Sequence, residues 1–146
     1  MDERKVSRSA VIAAPAEKIF AIIADPRRHP DIDGSAMVRG NLYGPERLEA
    51  GSTFGMSMRL LGIPYRTRNR VVEYEPDRRI AWRHFGPHRW RWELEPVDEN
   101  TTRVTETFDY SHAGPYAFLY RLVGYPSRNA RAIEASLQRL KQLLEA

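Results

Sequence analysis

No cysteine occurs in the 146 residues, which excludes a disulfide framework and any thiolate-held metal. No apolar run approaches the ~18–20 residues that a membrane-spanning helix needs. The N-terminal MDERKVSRS is charged and lacks an apolar core, so no secretory signal is visible. A cytoplasmic protein is the simplest expectation. GxSxG, Walker and GxGxxG motifs are all missing, and hydrolase, NTPase and dinucleotide readings fall with them. The four histidines are scattered, with neither HxH nor HExxH spacing, so no metal site is expected. No cofactor is expected either.

What is present describes a globular chain. Apolar residues make up 42% and aromatic residues 10%, enough for a packed core in one domain spanning residues 1–146. The formal charge is +4, and 20 of the 23 basic residues are arginine. An excess of arginine suits an acidic partner, but the 19 carboxylates are interleaved with the arginines, as on a solvated surface.

The chain is organised around VIAAPAEKIFAIIADPRRHPDIDG, residues 11–34. Pro15 opens a helix at little cost. Ala16, Ile19, Phe20 and Ile23 then fall on one stripe, until Asp25-Pro26 turns the chain out of the helix. Before this element, Val6, Ala10 and Ile12 mark a first strand. After it comes a weak strand over 36–42, interrupted by Gly40. Residues 52–60 alternate clearly, with Phe54, Met56, Met58 and Leu60 on one face. The strand over 65–74 offers two faces. Burying three arginines is too costly, so Tyr65, Thr67, Asn69 and Val71 are placed inside; Val72 and Tyr74 then point outward unless a bulge intervenes.

Three hairpins follow, turning at Glu75–Arg78, Gly86–His88 and Asp98–Asn100, and they read as an antiparallel meander. The last third switches to helical period. A helical piece, YAFLYRLV, precedes a long helix to about Glu145 whose stripe is Ala130, Ile133, Leu137, Leu140 and Leu144. The expected fold is α+β: a curved antiparallel sheet of six to seven strands wrapped around a long C-terminal helix, with two short helices after the first strand.

The order of elements, with that front motif, VVEYEPDRRIAW in the middle and TTRVTETFDYS before the last helix, resembles the START/Bet v 1-like (SRPBCC) superfamily and its helix-grip fold. Within it, the chain is most similar to the bacterial polyketide cyclase/dehydrase-like group. The resemblance implies an apolar cavity between sheet and long helix, entered past the short helices and loops. Its members range from lipid carriers to cyclases, so it implies a cavity more strongly than an activity. The chain departs from many relatives where they carry a Trp soon after Asp-Pro; His29-Pro30-Asp31-Ile32 stands there instead.

Hairpin lengths give a register: Trp82 opposite Trp92, His84 opposite Trp90, Trp92 opposite Glu106, and Trp90 opposite Phe108. The inner face is then an aromatic wall holding one imidazole and one carboxyl, with adaptable methionines beside it. Candidate ligand-binding residues are Phe54, Met56, Met58, Tyr65, Asn69, Trp82, His84, Trp90, Trp92, Glu106, Phe108 and Tyr110. Glu106 is the sharpest of them: an inward carboxyl needs a partner or has a raised pKa. The bland readings are an arginine folded inward onto it or a bulge that turns it out. His29, His88 and His112 are expected at the surface.

These residues suit a binder of a hydrophobic, lipid- or polyketide-like small molecule. The alternative is a cyclase- or dehydratase-type enzyme using Glu106, His84 and Tyr110 for acid/base work. Nucleic acid is not an expected partner, because aromatics and arginines lie on opposite faces of the strands. On the outer face, Arg83 is expected opposite Arg91, with Glu73, Glu93 and Glu95 toward the other end. That polarised face offers weak docking to an acidic surface through Arg83 and Arg91. The sequence does not fix the oligomeric state.

Overall fold

A computed structural model describes residues 5–34, 37–83, 88–111 and 125–145, with only the backbone of residues 60 and 125–127. Seven strands form one antiparallel sheet: β1 (Lys5–Ile12), β2 (Val38–Tyr43), β3 (Thr53–Leu60), β4 (Ile63–Glu75), β5 (Arg79–Arg83), β6 (Arg89–Asp98) and β7 (Thr101–Asp109). Their order is β1-β7-β6-β5-β4-β3-β2. Between β1 and β2 lie α1 (Ala16–Ile23), a 3₁₀ turn (Pro26–Arg28) and α2 (His29–Ile32); α3 (Tyr125–Glu145) closes the fold. The piece YAFLYRLV lies outside the described residues.

Each helix sits where its apolar stripe demands. Pro15 caps α1, and Ala16, Ile19, Phe20 and Ile23 are its buried residues. Asp25 Oδ1 accepts from the Arg27 backbone N–H at 3.0 Å, capping the 3₁₀ turn. On α3, Ile133, Leu137 and Leu140 are buried at the predicted spacing, and the helix packs against β1, β7 and α2. These stripes and the inner sheet face, from Ile12 and Val104 through Leu94 and Ile80 to Phe54, form one continuous core. Burying one such Leu, Ile or Phe contributes about 1.5–3 kcal/mol.

Three departures shape the site. In β4 the register slips by one residue between Val71 and Glu73, and this bulge turns Tyr74 inward, its ring 5.9 Å from that of Phe20. The β5–β6 hairpin pairs Trp82 with Trp90 and Ile80 with Trp92, two residues from the expected register; an even slip keeps every side chain on its expected face. Arg91 therefore faces Ala81, and Arg83 faces Arg70. In the third departure the β3–β4 turn is Leu61-Gly62, so β4 begins at Ile63 rather than Tyr65. β2, at an edge, carries two register shifts, between Val38 and Gly40 and between Asn41 and Tyr43.

The outer face is not polarised as expected. The bulge brings Glu73 outward to Arg91 and Arg89, at 2.7 and 2.9 Å. Arg91 also reaches Asp109 at 3.0 Å, so it is not available for docking. The Glu73 and Asp109 carboxyls both lie below their usual range. For Glu73 the largest cause is the Arg91 hydrogen bond; for Asp109 burial opposes the lowering and bonds from Ser111 and Arg91 outweigh it.

Candidate functional site

The inner face of the meander forms two cross-strand rows. One runs Trp82–Trp90–Phe108–Val6; the other runs Ile80–Trp92–Glu106–Arg8. The expected pairings of Trp90 with Phe108 and Trp92 with Glu106 are present: a two-residue turn at Glu99-Asn100 pairs Asp98 with Thr101, and a bulge between Pro96 and Asp98 shifts the strand by one residue into that register. Phe54, Met56, Asn69, Trp92, Phe108 and Tyr110 are buried, while Met58, Tyr65, Trp82 and Trp90 are half-buried. Asn69 Nδ2 donates to Thr67 Oγ1 at 3.2 Å and to the Phe54 carbonyl at 3.4 Å, so its amide is engaged within the sheet. His84 lies outside the described residues, as does His112.

Glu106 is 6% exposed and points inward between Val104 and Phe108. Among the described residues its Oε1 has no hydrogen-bond partner. Burial pushes the carboxyl well above its usual range, and the charge of Asp33 adds to the effect. No bulge turns Glu106 outward, and no arginine among the described residues pairs with it. Arg8 stands directly across in β1, but its Nε donates to Glu134 on α3 at 3.0 Å and its Nη1 to the Ser7 carbonyl at 2.7 Å. Glu106 thus keeps its proton to higher pH than an exposed carboxyl would, because its charged form has neither water nor a cation beside it among the described residues.

His29, expected at the surface, is 6% exposed. Its ring stacks on Trp82 (4.8 Å, 21°) and meets Phe54 edge-on at 5.4 Å. Nε2 lies 2.9 Å from the Ile23 carbonyl, at the C-terminus of α1. A carbonyl only accepts, so Nε2 carries the proton and neutral Nδ1 is an acceptor. Burial lowers the ring to about 4, against partial compensation from the Ile23 bond. His88 is also buried, not exposed, its ring 5.1 Å from Phe108. Trp90 and Tyr110 flank the same Phe108, at 5.0 and 5.6 Å.

The inner face therefore carries two aromatic clusters, one around Trp82 and one around Phe108, with a buried carboxyl of raised pKa in the neighbouring row. Sequence reasoning missed His29, Asp33 and Arg8. Arg8 was readable, since it shares the period of Val6, Ala10 and Ile12. The other two sit in a proline-bounded elbow without period. A separate groove of about 290 Å³ lies on the outer face, lined by Glu75, Arg78, Arg79, Glu93, Glu95 and Arg103 among others; its charge does not suit an apolar ligand.

Residues 3–145 match the family described as polyketide cyclase / dehydrase and lipid transport. The chain belongs to that family. Among its relatives, the uncharacterized protein Rv0088 of Mycobacterium tuberculosis is 48% identical over 139 residues, 93% of this chain and 62% of that protein. The chain thus spans about three fifths of the length of the curated relatives it matches. Of solved structures, KanY has a TM-score of 0.76 at 16% identity, covering 100% of both chains. The Zhui aromatase/cyclase of Streptomyces has a TM-score of 0.66 at 18% identity, covering 95% of this chain and 94% of that one. At those identities the two structures speak to fold alone.

Proposed function

We propose that this family member binds a hydrophobic, lipid- or polyketide-like small molecule between the inner sheet face and α3. The observation that carries the reading is Glu106: a buried carboxyl whose Oε1 has no partner among the described residues, on an apolar face, opposite buried Trp92 and one row from the half-buried Trp82 and Trp90. A neutral acid there donates one hydrogen bond to a ligand carbonyl or hydroxyl, while Trp82, Trp90 and Phe108 supply flat apolar contact.

Native mass spectrometry of freshly purified protein tests the reading first, by the mass of whatever copurifies. Against that molecule, Glu106→Gln keeps a donor and should bind within about threefold of wild type. Glu106→Leu should lose about tenfold or more, the value of one buried hydrogen bond. Equal binding by all three proteins returns Glu106 to a structural role.

A second reading, a cyclase- or dehydratase-type reaction, draws on the same buried carboxyl, whose protonated form suits a general acid that protonates a departing hydroxyl. The amide separates the two readings. Glu106→Gln would retain binding but abolish turnover of a poly-β-keto substrate, since it has no acidic proton to give.

A further inference from the structure

The β3–β4 hairpin ends in an unusual turn. Leu61 and Gly62 have φ of 51° and 81°, the left-handed pair of a tight two-residue turn whose first position ordinarily holds Asn, Asp or Gly. Leu61 occupies it at a conformational cost and is 94% exposed; Ile63, just beyond, is 67% exposed. The core gains nothing from either side chain.

The paired part of the same hairpin, from Thr53 to Arg70, carries only basic charge. Neither Asp nor Glu occurs between Ala50 and Glu73, while Arg59, Arg66, Arg68 and Arg70 do. All four are exposed. The register places them on the outer face, with exposed Arg83 opposite Arg70, a like-charge pair that repels. None of the five makes an ion pair among the described residues. Two strands away the arginines behave otherwise, with Arg89 and Arg91 neutralised by Glu73 and Asp109. Arginines without an ion pair among the described residues thus gather on the hairpin that carries the exposed apolar tip and on the adjoining Arg83, with others, Arg39 and Arg103 among them, standing apart.

We infer that this hairpin is a docking element for an anionic lipid surface. Alternate residues along a strand lie ~7 Å apart, so Arg66, Arg68 and Arg70 present a row of guanidinium groups that reaches several headgroups at once. Leu61 and Ile63 then enter the boundary between headgroups and acyl chains. Charge complementarity selects the occupant, because a neutral apolar partner would leave five arginines unbalanced. An acidic protein would balance the arginines but leaves the apolar tip without a use. The inference does not depend on the ligand reading, since docking is measured without ligand.

The experiment is flotation of the whole chain with vesicles of phosphatidylcholine containing phosphatidylglycerol, and with phosphatidylcholine alone. Wild type should float with the anionic vesicles only, and less as salt is added. Arg66→Gln/Arg68→Gln/Arg70→Gln should weaken partitioning by about a hundredfold, at about fivefold per basic residue near an anionic surface. Leu61→Asn is the decisive variant. Asn accepts the left-handed turn, so thermal stability should hold or rise while vesicle binding falls about fivefold or more. Equal flotation with both vesicles, or Leu61→Asn binding like wild type, would overturn the inference. So would wild type that stays unbound to vesicles, whether or not it binds an acidic polymer such as polyglutamate.

Discussion

Glu106 and His29 carry opposite burial penalties, and they pull stability in opposite directions along the pH axis. The Glu106 carboxyl is raised above its ordinary 4.5, so the native state keeps a proton that the unfolded chain has lost. Its contribution is intact below that value and falls as pH rises toward the folded pKa. His29 is lowered from 6.5 to about 4; its contribution is intact above 6.5 and is lost as pH falls toward the lower value. Each slope is about 1.4 kcal/mol per pH unit. Urea unfolding across pH, read as wild type minus variant, separates them. Glu106→Gln should remove the loss at higher pH, and His29→Phe the loss between about 6.5 and 4. Difference curves that stay flat would show both groups titrating as they do in the unfolded chain. His29 was illegible in the sequence for a plain reason. A polar residue in a short elbow has no periodicity, and its burial depends on Phe54 and Trp82, which arrive from strands far along the chain.

At the scale of elements, the elbow is fastened to α3 by backbone contact. Gly34 donates its N–H to Ser136 Oγ at 2.8 Å, and Arg139 Nη1 donates to the Asp33 carbonyl at 2.6 Å. A Cβ on Gly34 would collide with the Ala132 carbonyl oxygen and the Ser136 nitrogen. Gly34→Ala should cost about 1–3 kcal/mol by prying α2 from α3. Leu137→Ala, which empties the helix–sheet seam, should cost about 2–5 kcal/mol. Calorimetric midpoints compare the two; a loss under about half a kcal/mol for Leu137→Ala would mean that α3 packs through other residues. Helices and strands were legible because each buries one periodic face. Registers were legible only as far as the turns are short. The short Glu99-Asn100 turn, with the bulge between Pro96 and Asp98, sets β6 on β7 in the expected register, whereas the longer β5–β6 connection hid a slip of two. The β4 bulge was stated as a condition for burying Tyr74, and that condition is met; nothing local in Val71-Val72 marks it.

For the whole molecule, the curved sheet has an inner face held by apolar contact and an outer face held partly by ions. Arg91 joins Glu73 on β4 to Asp109 on β7, with side-chain exposures of 12%, 20% and 2%. Arg91→Leu should therefore destabilise by about 2–3 kcal/mol, below the ~3–5 kcal/mol of a fully buried pair because Ser111 and Arg89 remain to serve the carboxylates. Chemical denaturation measures it, and no change would mark the network as surface ornament. The two irregularities in β2 act on a different problem. An open sheet invites another copy to add a strand at its edge, and β2 exposes Leu42 and Tyr43 there, side chains that would favour such pairing. Its N–H and C=O groups do not hold one straight ladder for more than a residue or two, and Asn41 Nδ2 occupies the Tyr43 and Gly55 carbonyls at 3.0 and 3.1 Å. A neighbour's strand finds nothing to zip onto. A poorly formed second strand thus guards concentrated protein against stacking edge to edge into fibres.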